Sequence, residues 1–119
     1  MILIVAENPD LARIWARHLE RQKCDVAVAT SAGHAVEYVG EHDVDVIVLD
    51  LMLERGSAFA VADFASYRRP AARVVFVTNT SFFSDGSIFR HIPNACAFLP
   101  SGMAPEDLAA VIDHYGVVQ

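Results

Sequence analysis

The stretch that most constrains the fold is Val44 to Leu53, which reads VDVIVLDLML. From Val44 to Asp50 it is apolar except at Asp45 and Asp50, the pattern of a strand covered on both faces of a parallel sheet rather than half exposed at an edge. Such a strand belongs in the middle of the sheet. Asp50 closes the run, so its carboxylate falls at the carboxyl end of a central strand, where open α/β sheets place their ligand sites. From this strand alone, a plain turn or capping role for Asp50 is an equal reading, because Asp is common in turns.

The rest of the chain alternates strand and helix around that centre. Met1 to Ala6 is a short apolar run that meets Glu7, Asn8 and Pro9. Asn8 before Pro9, with Asp10 in the following turn, is a helix start. In the helix that follows, Leu11, Ile14, Trp15, His18, Leu19 and Gln22 recur at helical spacing, so that stripe is expected on the sheet and Arg13, Arg17, Glu20 and Arg21 in water. DVAVA, Asp25 to Ala29, reads as a second strand. Ser31 is placed to cap a second helix with Ala32, Ala35, Val36 and Val39 inward and Gly40 near its end.

After the central strand, Glu54 to Ser57 reads as a polar loop, and Ala58 to Arg69 as a helix with Val61, Phe64, Ala65 and Arg68 in helical register until Pro70 stops it. RVVFV, Arg73 to Val77, is a fourth strand ending in the hydroxyls of Thr78, Thr80 and Ser81. Phe82 to Ile92 is a short or irregular fourth helix, because Gly86 sits inside it. ACAFL, Ala95 to Leu99, is a fifth strand, Pro100 to Gly102 a loop, and Pro105 opens a last helix with Leu108, Val111, Ile112 and Tyr115 inward and Gly116 as its stop. Five strands alternating with five helices imply one parallel sheet with helices on both faces, joined by right-handed crossovers.

Composition narrows the function classes. At 119 residues the chain is read as one domain, 1–119, large enough for a real core. No apolar run approaches the roughly 20 residues that span a bilayer, and the start MILIVA has neither the basic flank nor the cleavage site of a signal peptide. The expected setting is the cytoplasm, with no membrane contact. Nine Lys and Arg stand against fifteen Asp and Glu, a formal charge of −6, so nucleic-acid binding by this chain is not expected.

Cys24 and Cys96 have no C-x-x-C partner, and the histidines His18, His34, His42, His91 and His114 show no metal spacing, so all are read as free or packed side chains. The chain contains no G-x-G-x-x-G, P-loop or G-x-S-x-G, and Ser81, Ser84 and Ser87 have no positioned base that the sequence can show. A metabolic enzyme is therefore not indicated.

Four pieces in order carry a family likeness: ILIV followed by an acidic position, VIVLDLML ending its strand in Asp50, VVFVT, and a late AFL strand before a loop. Together they resemble the receiver domain of bacterial response regulators over essentially the whole chain. The resemblance implies a flavodoxin-like (CheY-like), doubly wound, five-stranded sheet of order 2-1-3-4-5 with five helices. It implies two-component signal transduction, in which a sensor histidine kinase or phosphotransfer protein passes a phosphoryl group to one aspartate with Mg2+ bound. Carried over by position, Asp50 is the phosphoacceptor, Glu7 and Asp50 with the carbonyl of Met52 hold the metal, Thr78 is the switch hydroxyl, and Phe98 is the switch aromatic. Magnesium favours hard oxygen ligands and keeps several waters, which suits that donor set. The only chemistry so implied is self-phosphorylation and self-dephosphorylation at Asp50.

Two departures stand beside these matches. Ala6 replaces the first of the family's paired acids, so weaker metal binding is expected. Ser101 and Gly102 stand where the family has lysine and a cis proline, and the lysine normally pairs with the phosphoryl group. Arg55 is a candidate replacement cation, and Asn79, where the family prefers a small residue, is expected to alter access to the site. Two readings stay open: a phosphorylatable switch acting on a downstream protein, or an atypical receiver that binds proteins without phosphorylation. The resemblance also allows a homodimer through the fourth helix, fifth strand and fifth helix. Phe82 and Phe83 mark a candidate interaction patch. With this strand order Cys24 and Cys96 lie near opposite sheet edges, about four spacings of 4.8 Å apart, too far for a disulfide.

Overall fold

A computed structural model describes residues 1–21, 25–50, 55–78, 95–100 and 104–117. Five strands, β1 (Ile2–Val5), β2 (Val26–Ala29), β3 (Val46–Asp50), β4 (Arg73–Thr78) and β5 (Ala95–Pro100), form one sheet. Every neighbouring pair is parallel, and the order is β2-β1-β3-β4-β5. Four helices are described: α1 (Pro9–Arg21), α2 (Ala32–Glu41), α3 (Arg55–Arg68) and α4, the last helix (Pro105–Val117). The predicted helix over 82–92, with Phe82 and Phe83, lies outside the described residues, as do Cys24, Met52, Asn79, Ser101 and Gly102.

β3 is central and buried at all five positions, as its nearly unbroken apolar run requires. Alternation along the strands sends side chains to two separate cores. Leu3, Val5, Ile47, Leu49, Val74 and Phe76 meet α2 and α3 on one face. Ile2, Ile4, Ala6, Val46, Val48, Val75 and Val77 meet α1 and α4 on the other. Both faces of a parallel sheet are thereby covered.

Local signals set the first two helix starts. The Asn8 side chain accepts from the amides of Asp10 at 3.0 Å and Leu11 at 3.3 Å, which satisfies orphan donors of the first turn of α1. Ser31 does the same for α2 through the His34 amide at 3.1 Å. The carboxyl end of α2 is held from a distance. Arg68 and Arg69, at the end of α3, donate to the carbonyls of Gly40 and Val39, each at 3.1 Å, and Arg69 also pairs with Asp43 at 3.0 Å.

Several expected boundaries and faces need correction. α3 begins at Arg55, so Glu54 to Ser57 is not a loop throughout. α4 runs through Gly116, so that glycine does not stop the helix. The buried stripe of α1 is Ala12, Trp15, Ala16 and Leu19, whereas Ile14 is 44% exposed. Small alanines let the helix axis approach the sheet, and the stripe therefore rotates away from the larger Ile14. The His18 ring is only partly buried, donating from Nδ1 to the Ile14 carbonyl at 3.0 Å, with Nε2 3.9 Å from Glu106 on α4.

Gly40 illustrates how closely α2 and α3 approach. A Cβ there would meet Cζ of Phe64 at 3.8 Å, an ordinary contact rather than a clash. Glycine in a helix costs roughly 0.5–1 kcal/mol relative to alanine. Gly40→Ala is expected to stabilise the chain by about that amount, seen as a raised urea midpoint with an unchanged slope.

Candidate functional site

The carboxyl edge of the sheet collects the described candidates Ala6, Glu7, Asp50 and Thr78. Leu49 pairs with Val5, and Asp50 with Val77. Ala6 therefore stands beside Asp50 on the β1 side, and Thr78 lies one residue beyond its partner on the β4 side. Thr78 in turn pairs with Pro100, extending β5 one residue past the expected Leu99. Proline is tolerated there because β5 is the outer strand of the described sheet and Pro100 its last residue. Phe98 lies on β5 in register with Phe76.

Asp50 is the sole charged side chain buried among the described residues, with 4% exposure. It shares the sheet face of Val46 and Val48, which is also the face of Ala6. A carboxylate is rarely taken out of water without hydrogen bonds or charges to satisfy it, and Asp50 does have a polar or ionic partner. Glu7, directly after Ala6 on the neighbouring strand's extension, is exposed. The edge thus carries one sheltered carboxylate, Asp50, and a solvated one, Glu7, follows Ala6 in the chain.

The donor chemistry of that pair fits a hard, partly hydrated cation such as magnesium, with Glu7 and Asp50 as the protein carboxylates. Ala6 supplies no oxygen from its side chain, and among the described residues no group of three or more His, Cys, Asp or Glu could hold a metal ion. Arg55 heads α3 rather than lying in a free loop. Sequence reasoning reached the residues of this edge but not the long-range restraints at the opposite edge. There the Asp45 amide donates to the Met1 carbonyl at 2.9 Å, and the Arg73 amide to the Asp45 carbonyl at 2.9 Å, aligning β1, β3 and β4. Among the described residues no helix is long and apolar enough to cross a membrane.

Comparison with known proteins agrees with this geometry. The model of the response regulator receiver domain matches residues 2–112. The chain is 32% identical over 57 residues to the heme response regulator HssR of Staphylococcus saprophyticus, a match covering 48% of this chain and 25% of that protein. The match thus spans a quarter of that relative's length. Among solved structures, a CheY-like response regulator receiver domain protein from Methanospirillum hungatei superimposes with a TM-score of 0.86 at 20% identity, covering 97% of this chain and 91% of that one. A response regulator from Burkholderia pseudomallei, solved with a phosphorylated aspartic acid, calcium and citrate, gives 0.81 at 22% identity, covering 97% of this chain and 67% of that one. At such identities these two structures speak for the fold, which is the flavodoxin-like arrangement with the order seen here. With the family model covering all but the ends of the sequence, the chain belongs to the response regulator receiver domains.

Proposed function

We propose that this chain is the phosphoryl-accepting switch of a two-component system, acting through Asp50 as a single unit over 1–119 in the cytoplasm. The observation that carries this reading is Asp50, the one buried carboxylate among the described residues, at the carboxyl end of the central strand in a chain of the receiver family. Response regulators interact with histidine kinases and downstream targets. The proposed donor is the phosphohistidine of a sensor kinase or phosphotransfer protein. An Asp50 carboxylate oxygen attacks phosphorus, the phosphorus–nitrogen bond breaks, and the imidazole leaves with a proton. By family likeness, Glu7, Asp50 and the Met52 carbonyl are the proposed magnesium ligands. Bound there, magnesium supplies neutralisation of the charge that develops on the transferring group.

The modified Asp50 carries close to two negative charges. With Ser101 at the position where a lysine is otherwise expected, Thr78 is the proposed hydroxyl donor, placed at the end of β4 one step past Asp50's partner. Phe98 on β5 is the proposed aromatic that follows its movement. A switch needs two arrangements whose balance the phosphoryl group shifts. The proposed readout is a protein-binding or homodimer face made by the 82–92 segment, β5 and α4, with no nucleic acid bound and no turnover beyond gain and loss of the phosphoryl group.

The test is incubation with magnesium and acetyl phosphate followed by intact mass. The expected result is the gain of one phosphoryl group by the wild type and none by Asp50→Asn. The apolar Ala6 beside Asp50 favours a second reading, a receiver that binds partners without modification. No mass gain at saturating donor, in a folded protein, selects that reading and rejects the first.

A further inference from the structure

We infer that the open edge of β2 is a self-association surface, on which a second copy of this chain adds its own β2 in antiparallel register and joins the two sheets into one. Among the described strands β2 pairs with β1 alone and stands outermost. The carbonyls of Asp25 and Ala29 accept from the amides of Ile2 and Ala6 at 2.8 and 3.1 Å. Backbone groups alternate from side to side along a strand, so Asp25, Ala27 and Ala29 turn toward β1, while Val26 and Val28 turn their N–H and C=O groups outward. Exposed edges are usually guarded by lysine, proline or a bulge. β2 is short, but it reads VAVA, its pairing with β1 runs without a bulge, and Val28 is 37% exposed.

The register that uses both outward valines sets Val26 opposite Val28 of the second copy and Val28 opposite its Val26, with a twofold axis at Ala27. Each valine then exchanges both of its backbone bonds with the one it faces, and valine lies beside valine on the α1 side of the sheet. Ala27 falls where the two strands come closest, and its methyl group fits there. The charges of α1 suit the same axis. Its His18 side is turned to α4, where Nε2 lies 3.9 Å from Glu106. At 3.6 residues per turn, Arg13 and Glu20 project about 140° and 160° around the helix from His18, on the side toward β2. Both are exposed, and the described ion pairs involve neither. The twofold axis runs the two α1 helices in opposite directions, so the Arg13 end of each comes to the Glu20 end of the other.

Sedimentation equilibrium of the wild type without phosphodonor, from micromolar to millimolar concentration, is expected to show a monomer and dimer in exchange. Asp50→Asn is expected to show the same equilibrium, because β1 separates β2 from β3. Val28→Pro deletes an outward N–H without breaking the ladder to β1, a position where an edge strand tolerates proline. It is expected to weaken the dimer on the order of tenfold, with far-UV circular dichroism unchanged. Arg13→Glu is expected to weaken it roughly fivefold, and Arg13→Glu combined with Glu20→Arg to restore it, because the exchange rebuilds both pairs with their signs reversed.

A wild type that stays monomeric throughout leaves the edge to a strand of another protein and overturns the inference. A dimer that Val28→Pro does not weaken uses another face and overturns it as well. If Val28→Pro does not fold, the charge exchange decides: no weakening by Arg13→Glu, or no recovery in the double variant, overturns it.

Discussion

Replacing Trp15 with alanine is expected to lower stability by about 3–5 kcal/mol, the usual cost of deleting a large aromatic from a packed core. Trp15 is the chain's one tryptophan and is 1% exposed. It sits on α1 among Ala12, Ala16 and Leu19, over Ile2, Ile4 and Val48 of the sheet and beside Leu108, Ala109 and Ile112 of α4. Its flanking alanines are too small to collapse into the space it leaves. The cavity is therefore retained, and the cost falls at the upper end of the range rather than the lower. Urea unfolding followed by far-UV circular dichroism checks this, with a lower midpoint and an unchanged slope. Trp15→Phe keeps most of the volume and is expected to lose roughly 1 kcal/mol. Equal losses for the two variants would show that the indole is not packed as described.

The same helix shows where sequence stops being informative. The spacing of Leu11, Ile14, Trp15 and His18 points to an inward stripe, and Trp15 and Leu19 do lie inward. Hydropathy weights Ile14 above its alanine neighbours, yet contact between helix and sheet is limited by distance, and Ala12 and Ala16 win the inner positions. β3 was legible for the opposite reason: a run buried on both faces has no alternative stripe to choose. The resemblance supplied the strand order, which no single segment encodes.

Helix ends divide along the same line. Asn8 and Ser31 act on amides two or three residues away, so their pattern is visible in a short window. Arg68 and Arg69 act on carbonyls 28 and 30 residues earlier in the chain, and nothing in the sequence around them predicts those partners. At the site, the position of Asp50 followed from its strand, while the depth of Ala6 beside it required the register between β1 and β3. The roles proposed for Thr78 and Phe98 rest on family likeness, since a hydroxyl at a strand end and an aromatic in an outer strand have no distinctive local pattern.

Replacing Phe76 with alanine is expected to cost about 3–5 kcal/mol as well, but on the opposite face of the sheet. Phe76 is fully buried on β4, packed in the α2–α3 core, with its ring centroid 6.3 Å from that of Phe59 at an interplanar angle of 52°. A tilted aromatic pair of this kind contributes roughly 0.5–1.5 kcal/mol beyond area burial, and Phe59→Ala, which removes the same pair but a ring that is only partly buried, is expected to cost less than Phe76→Ala. The sheet separates Phe76 from Trp15, and the two side chains belong to different cores. Their effects should add to within about 0.5 kcal/mol, as expected for sites without shared partners. The sum, roughly 6–10 kcal/mol, is comparable to the whole stability of a typical domain. The double variant is accordingly expected to be unfolded at 25 °C in buffer while each single variant remains folded. A folded double variant with a loss close to that of either single change would mean that the two helix layers are not independently packed. It would also remove the ground for treating β3, and the carboxylate at its end, as clamped from both sides.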